Sequence, residues 1–180
     1  MEAIRAERQV VPFFEGLEVD GYRMPNGEFR VGLTGASVVL GYSPNWLSRL
    51  LDRETGTSIK ALRGLGFTEE TQKVVTETQR GDREARTISL RDFNRLISYA
   101  VFDGKKAALA LQLALTEVAL NDFFRDAFGE PPLSISEKRQ FFYETYAAAI
   151  SPDGWREMDR EEILRLALPG DEPQLADWNS

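Results

Sequence analysis

The chain has 180 residues and a mass of 20.3 kDa, with 42% hydrophobic and 28% charged residues and a formal net charge of −7. This composition belongs to a globular chain with a real core, not to a disordered or fibrous one. Cys and His are both absent, which excludes disulfides, thiol nucleophiles, Cys- or His-ligated zinc and every scheme that needs an imidazole base.

Reading on along the chain, no apolar run approaches bilayer-spanning length, and Met1 to Gln9 mix charges of both signs without an apolar segment. The expectation is a cytoplasmic protein with no membrane contact and no secretory signal. Charge is split unevenly: residues 1–106 hold 16 Lys+Arg against 15 Asp+Glu, and residues 107–180 hold 6 against 14. Nucleic-acid contact is thus compatible with the N-terminal part, while the C-terminal part reads as an acidic extension.

Val10-Val11-Pro12-Phe13-Phe14, Leu17 to Met24 and Phe29 to Leu33 read as three extended segments. Asn26-Gly27 between the last two is a hairpin signal of the type I′ kind. Leu17, Val19 and Tyr22 are expected on one side, with Phe29, Val31 and Leu33 paired opposite. Together they predict a small antiparallel N-terminal sheet.

The stretch from Thr34 to Leu51 predicts a helix-turn-helix-like element. Ala36, Val39 and Leu40 repeat at helical spacing, and Gly41 supplies a stop. Ser43 and Pro44 are expected to start the second helix, as cap and first residue. Leu47, Leu50 and Leu51 are its buried stripe. Its outer side then shows Asn45, Ser48, Arg49, Asp52 and Arg53. Asn and Arg can each make two hydrogen bonds to a base edge, so Asn45, Ser48 and Arg49 are candidate base readers. Arg53, Lys60 and Arg63 are candidate phosphate contacts. Asp52 is expected to repel phosphates or restrain Arg49. A plain helical hairpin with a solvated polar face fits the same pattern, and Trp46 reads as a junction anchor.

Thr68-Glu69-Glu70 reads as a capped helix start, and Lys73 to Arg86 as a polar loop or hairpin whose Arg80, Arg83 and Arg86 are diluted by Asp82 and Glu84. Ser89 with Asp92 predicts a capped helix carrying Phe93, Leu96, Ile97 and Ala100, broken at Asp103-Gly104. Lys105 to Phe128 predicts a long helix too apolar on too many faces for a monomer surface. It is expected to serve as a core helix and to pack partly against a second copy. Gly129-Glu130-Pro131-Pro132 marks a boundary. Ser134 with Glu137 predicts a capping box for an aromatic helix, and Asp159 to Leu168 a short acidic helix. The resulting architecture is α+β: the sheet, then a mostly helical body over residues 1–130, then an acidic helical extension over 131–180.

Five segments carry a resemblance to a known family: Phe13-Phe14-Glu15-Gly16, Gly27-Glu28-Phe29-Arg30-Val31, Val39-Leu40-Gly41-Tyr42, Phe93-Asn94-Arg95-Leu96-Ile97 and Thr116-Glu117-Val118. In this order they resemble the Bro-N domain of phage antirepressors and viral BRO proteins, over roughly residues 10–130. The resemblance implies an α+β fold and DNA binding or interference with a repressor, with no catalytic residues. The expected function is a dimeric, DNA-binding transcription regulator whose partner is double-stranded DNA. The alternative is an antirepressor-type module that binds a partner regulator. No cofactor or metal is expected. Asp92, Asp103, Asp122 and Asp126 lack any accompanying phosphate loop or paired-carboxylate motif and read as helix charges.

Overall fold

A computed structural model describes residues 2–53 and 56–151. The expected 159–168 helix and the rest of the C-terminal segment lie outside the described residues. The architecture is α+β, but the sheet is larger than expected and mixed. Its strands are β1 (Ile4–Arg5), β2 (Glu7–Phe14), β3 (Leu17–Arg23), β4 (Phe29–Gly32), β5 (Gln72–Thr78) and β6 (Gly81–Ser89), and its order is β1-β5-β6-β4-β3-β2. The polar 73–86 stretch is thus a hairpin in the middle of the sheet. Of the two readings, loop and hairpin, the structure has the hairpin, because its strands pair with each other and with β1 and β4 on either side.

The order places β1 and β2 at opposite edges, yet only Ala6 separates them in sequence. β1 runs parallel to β5, Ala6 N–H donates to the Val75 carbonyl at 3.0 Å, and β2 then pairs antiparallel with β3. The two edges therefore meet, and the sheet curls toward a closed barrel, the arrangement that best removes unpaired edge groups. Tyr22, Met24 and Val74 are buried inside the curl beside Ala6 and Ala85. Arg30 is also buried; its guanidinium donates to Thr87 Oγ1 at 3.0 Å and to Glu28 Oε1 at 2.8 Å, the pairing a buried charge requires.

The β3–β4 hairpin departs from a two-residue type I′ turn. The Gly27 N–H donates to Met24 O at 2.9 Å across Pro25-Asn26, and Gly27 alone takes a positive φ, of 88°. This is a type I turn followed by a left-handed glycine. Gly21 pairs with Val31 and Tyr22 with Arg30, so Val19 and Tyr22 lie on opposite faces, not on one. Leu33 begins a helix instead of ending a strand.

The helices are α1 (Leu33–Val39), α2 (Trp46–Leu51), α3 (Thr57–Gly64), α4 (Leu90–Phe102), α5 (Lys106–Ala127) and α6 (Ile135–Ile150). Val19, Val31 and Ile88 on the outer sheet face meet Ala36 and Leu40 of α1, Leu96 of α4, Leu111 of α5 and Phe142 of α6 in one core. α6 lies on the end of β2, where Phe142 stacks on Phe13 at 5.3 Å and Phe14 meets Tyr146 at 5.4 Å. Both expected cap sites form. Asp92 N–H donates to Ser89 Oγ, and Ser134 and Glu137 complete the reciprocal box.

Thr68 starts no helix. Its N–H and hydroxyl both donate to the buried Asp92 carboxylate, at 3.0 and 2.6 Å, and the next residue, Glu69, takes a positive φ of 63°, which a helix start does not allow. α5, with 22 residues and a mean hydropathy of 1.3 over its most apolar window, is long and apolar enough to cross a membrane by length and composition. The reading that no such run exists is corrected on this point; the N-terminal half of α5, from Ala108 to Leu111, is buried in the core.

Candidate nucleic-acid interface

α1 ends as its glycine predicts. Gly41 takes φ 90°, its N–H donates to Val38 O, and the Tyr42 N–H donates to Ser37 O at 3.0 Å. These two bonds close a Schellman motif that satisfies the last carbonyls of α1 and turns the chain back. α2 then begins two residues later than Ser43-Pro44 suggest, with Asn45 at the cap position and no side-chain cap of its own. The missing cap comes from the neighbouring helix. Ser37 Oγ, fully buried, donates to Leu33 O at 2.8 Å and accepts the Leu47 N–H at 3.2 Å. One hydroxyl thus ties the start of α2 to the middle of α1.

Leu47 and Leu50 are buried beneath α2, as the stripe predicts. Trp46 anchors the junction: its ring lies 3.7 Å from that of Tyr42, nearly parallel, and 6.2 Å from that of Tyr99. Tyr42 in turn donates to Asp103 Oδ2 at 2.6 Å, with Lys105 Nζ over its ring. Burial, and then the hydrogen bond to Asp103, raise the Tyr42 pKa far above the ordinary tyrosine value, so the phenol stays protonated as the donor.

The outer side of α2 presents Asn45 and Arg49, both exposed and one turn apart, followed by exposed Arg53. Ser48 is half-buried, and its hydroxyl is taken by Asn45 O at 3.1 Å, so it is the least available of the expected base readers. Asp52 does not restrain Arg49. It is held by Arg86 Nη1 of β6 at 3.0 Å, which offsets its charge. Among the described residues, Arg49, Arg53 and Lys60 form no ion pair. Lys60 is exposed on α3, whose Ile59 and Leu62 face the core. Arg63, also on α3, is instead committed to Glu69 through two contacts, 2.6 and 3.0 Å. Glu69 raises the Arg63 pKa, and the phosphate role expected of Arg63 must compete with this partner.

Sequence reading set aside Arg83 and Arg86, which the fold brings to the same place. β4 is only four residues long, so β3 and β6 part beyond it and the start of α1 fills the gap. A cleft of about 450 Å³ remains there, lined by Thr34, Gly35, Ser48, Arg83 and Arg86 together with the carboxylates of Glu18, Asp20 and Glu84. The cleft draws on both faces of β6, since Arg83 and Arg86 alternate across the strand, and no local pattern in the sequence signals it.

The acidic candidates do not converge on a site. Asp92 binds Thr68, Asp103 binds Tyr42, and Asp122 accepts the Leu133 N–H at 3.4 Å and pairs with Lys138. Among the described residues, no group of three or more acidic side chains is placed to hold a metal ion. A second concavity, about 550 Å³ and almost wholly apolar, opens between the outer sheet face and α4, where Val11, Val31, Phe93 and Ile97 form its walls. No family model matches the chain, and no curated protein or solved structure matches it significantly.

Proposed function

We propose that the chain is a double-stranded DNA-binding regulator that acts as a dimer and presents the α1–α2 element to the duplex. The observation that carries this reading is the pair Asn45 and Arg49. Both are exposed one turn apart on a short helix locked from behind by Leu47, Leu50 and the Ser37 hydroxyl, with the nearby Asp52 occupied by Arg86. A rigid helix showing an amide and a free guanidinium has the chemistry to read adenine and guanine edges. Arg53 and Lys60 supply phosphate contacts beside it, and each contact releases counterions.

The test is fluorescence anisotropy of the full chain with a pool of genomic duplex fragments over a salt series. Binding is expected to weaken steeply with salt, and removal of Arg53 or Lys60 is expected to lower the slope of log K against log salt by about 1. Arg49→Ala is expected to cost about 1–3 kcal/mol and to relax base choice at one position. Absence of binding at low salt ends this reading.

A further inference from the structure

The second half of α5 is apolar on two opposite sides. Leu111, Ala114, Leu115 and Val118 face α6 and the core. Leu113, Leu120, Phe124 and Phe128 face away from both, with Phe123 alongside. They are 38, 52, 65, 80 and 72% exposed, respectively. The spacings of seven, four and four residues draw the first four into one narrow stripe along the helix. At roughly 200 Å² per phenylalanine and somewhat less per leucine, the stripe and Phe123 together leave on the order of 600 Å² of apolar surface in water. That is the top of the range for the largest patch on a monomer.

We propose that this stripe is a homodimer interface in which two copies of α5 cross antiparallel at Leu120. The inference rests on the dimeric half of the proposed function and is measured without nucleic acid, so its failure leaves the α2 assignment standing. Three observations select a second copy and this orientation. First, two such stripes together bury about 1,200 Å², the lower limit for a stable specific interface. Second, crossing at Leu120 sets Phe124 against the partner copy's position 116, a threonine, and Leu113 against position 127, an alanine, while Phe128 and Phe123 meet the flexible Gln112 and Glu117. Two large side chains of the stripe thus meet small ones near the axis, as close packing requires. Third, Glu117 lies within the stripe. Parallel pairing would set it against its own copy, whereas the antiparallel crossing separates the two carboxylates by about 9 Å along the axis. A bilayer is the poorer occupant. Between residues 113 and 130 the only cation is Arg125, which pairs with Glu130, while Glu117 within the stripe and Asp126 and Glu130 beside it are negative.

Sedimentation equilibrium of the full chain at micromolar concentration tests the proposal. The expected mass is twice the 20.3 kDa of the chain. Leu120→Glu and Phe124→Glu are each expected to raise the dimer dissociation constant at least tenfold while the circular dichroism spectrum stays unchanged, because both side chains are exposed in the single chain. A wild-type monomer, or dimers that persist in both variants, overturns the proposal. A wild-type monomer that sediments with phosphatidylcholine vesicles overturns it in favour of a lipid surface. Because the chain contains no cysteine, single introduced thiols report orientation. A short bis-maleimide is expected to cross-link Leu120→Cys and not Leu113→Cys, whose copies lie about 21 Å apart along the axis; cross-linking at 113 overturns the antiparallel arrangement.

Discussion

Two helical hairpins in this fold are built on opposite plans. In α1–α2 most apolar side chains turn inward: Ala36, Val39, Leu47 and Leu50 are buried, Val38 alone is exposed, and the outer face of α2 is left to Asn45, Arg49 and Arg53. In α5–α6 the inner seam is closed by Leu111, Ala114 and Phe142, and the outer side of α5 is again leucine and phenylalanine. Both hairpins supply core to the same domain, so burial alone does not distinguish them. What separates them is the surface that remains. One leaves polar groups whose hydrogen bonds can be exchanged for those of a charged ligand, and the other leaves apolar area that water disfavours.

The sharpest way to break the contrast is to truncate one phenylalanine on each side of the α5–α6 hairpin. Phe142→Ala is expected to cost about 3–5 kcal/mol, because the site lies between Phe13, Phe14 and Tyr146 and cannot collapse freely. Phe124→Ala, measured by urea denaturation at submicromolar concentration, is expected to stay within about 0.5 kcal/mol of the parent. Equal losses would mean that the stripe belongs to the core of the single chain.

Next in size is Ser37→Ala, which removes the acceptor for the Leu47 N–H and leaves that buried donor unpaired. A loss of about 1–2 kcal/mol is expected. Hydrogen exchange should localise the loss to the start of α2 and leave α5 unchanged. Arg86→Ala is expected to change stability by less than about 1 kcal/mol, since its pair with Asp52 is partly exposed. It should nevertheless weaken DNA binding several-fold by freeing the Asp52 charge, and Asp52→Asn in the same chain should restore it.

The smallest effect concerns pH. The Ser134 backbone N–H, and then the Ser134 hydroxyl, hold the Glu137 carboxyl below its ordinary pKa. Its stabilising contribution is therefore present above the unfolded carboxyl pKa, about 4.3, and is lost as pH falls through the lower folded value. Exchange protection in the first turn of α6 should decline below about pH 4, and Glu137→Gln should abolish that dependence.

Much of the helical body was legible along the chain. Ser89 and Ser134 with their partners three residues on, the stop at Gly41 and the break at Asp103-Gly104 each signal through groups within a turn of one another. Such signals survive in a bare sequence because the interacting atoms are sequence neighbours. The candidate base readers were legible for the same reason, since the buried leucines of α2 determine which side chains are left outside. Asn45, Arg49 and Arg53 do face solvent, while Ser48 and Arg63 have partners that helical periodicity does not reveal.

The sheet was misjudged where pairing is distant. Residues 73–86 read as a loop or hairpin, and the choice between them stayed open because the strand character of β5 and β6 comes from neighbours: β6 pairs with β4 more than fifty residues away, and β5 with β1 about seventy residues away. Thr68-Glu69-Glu70 looked like a helix start because nothing local shows that Asp92, twenty-four residues on, claims the Thr68 N–H and hydroxyl. The start of α2 was misplaced because its cap is Ser37, ten residues back and on another helix.

The amino-acid order alone thus determined most of the helical segments, where most of them stop and which of their faces are apolar, since these depend on contacts three or four residues apart. The tertiary structure decided that the sheet curls until its edges meet at Ala6, that Arg86 occupies Asp52 and leaves Arg49 free, and that one apolar side of α5 is left uncovered. Those outcomes require groups far apart in the chain to arrive at the same place, and local propensity carries no record of that.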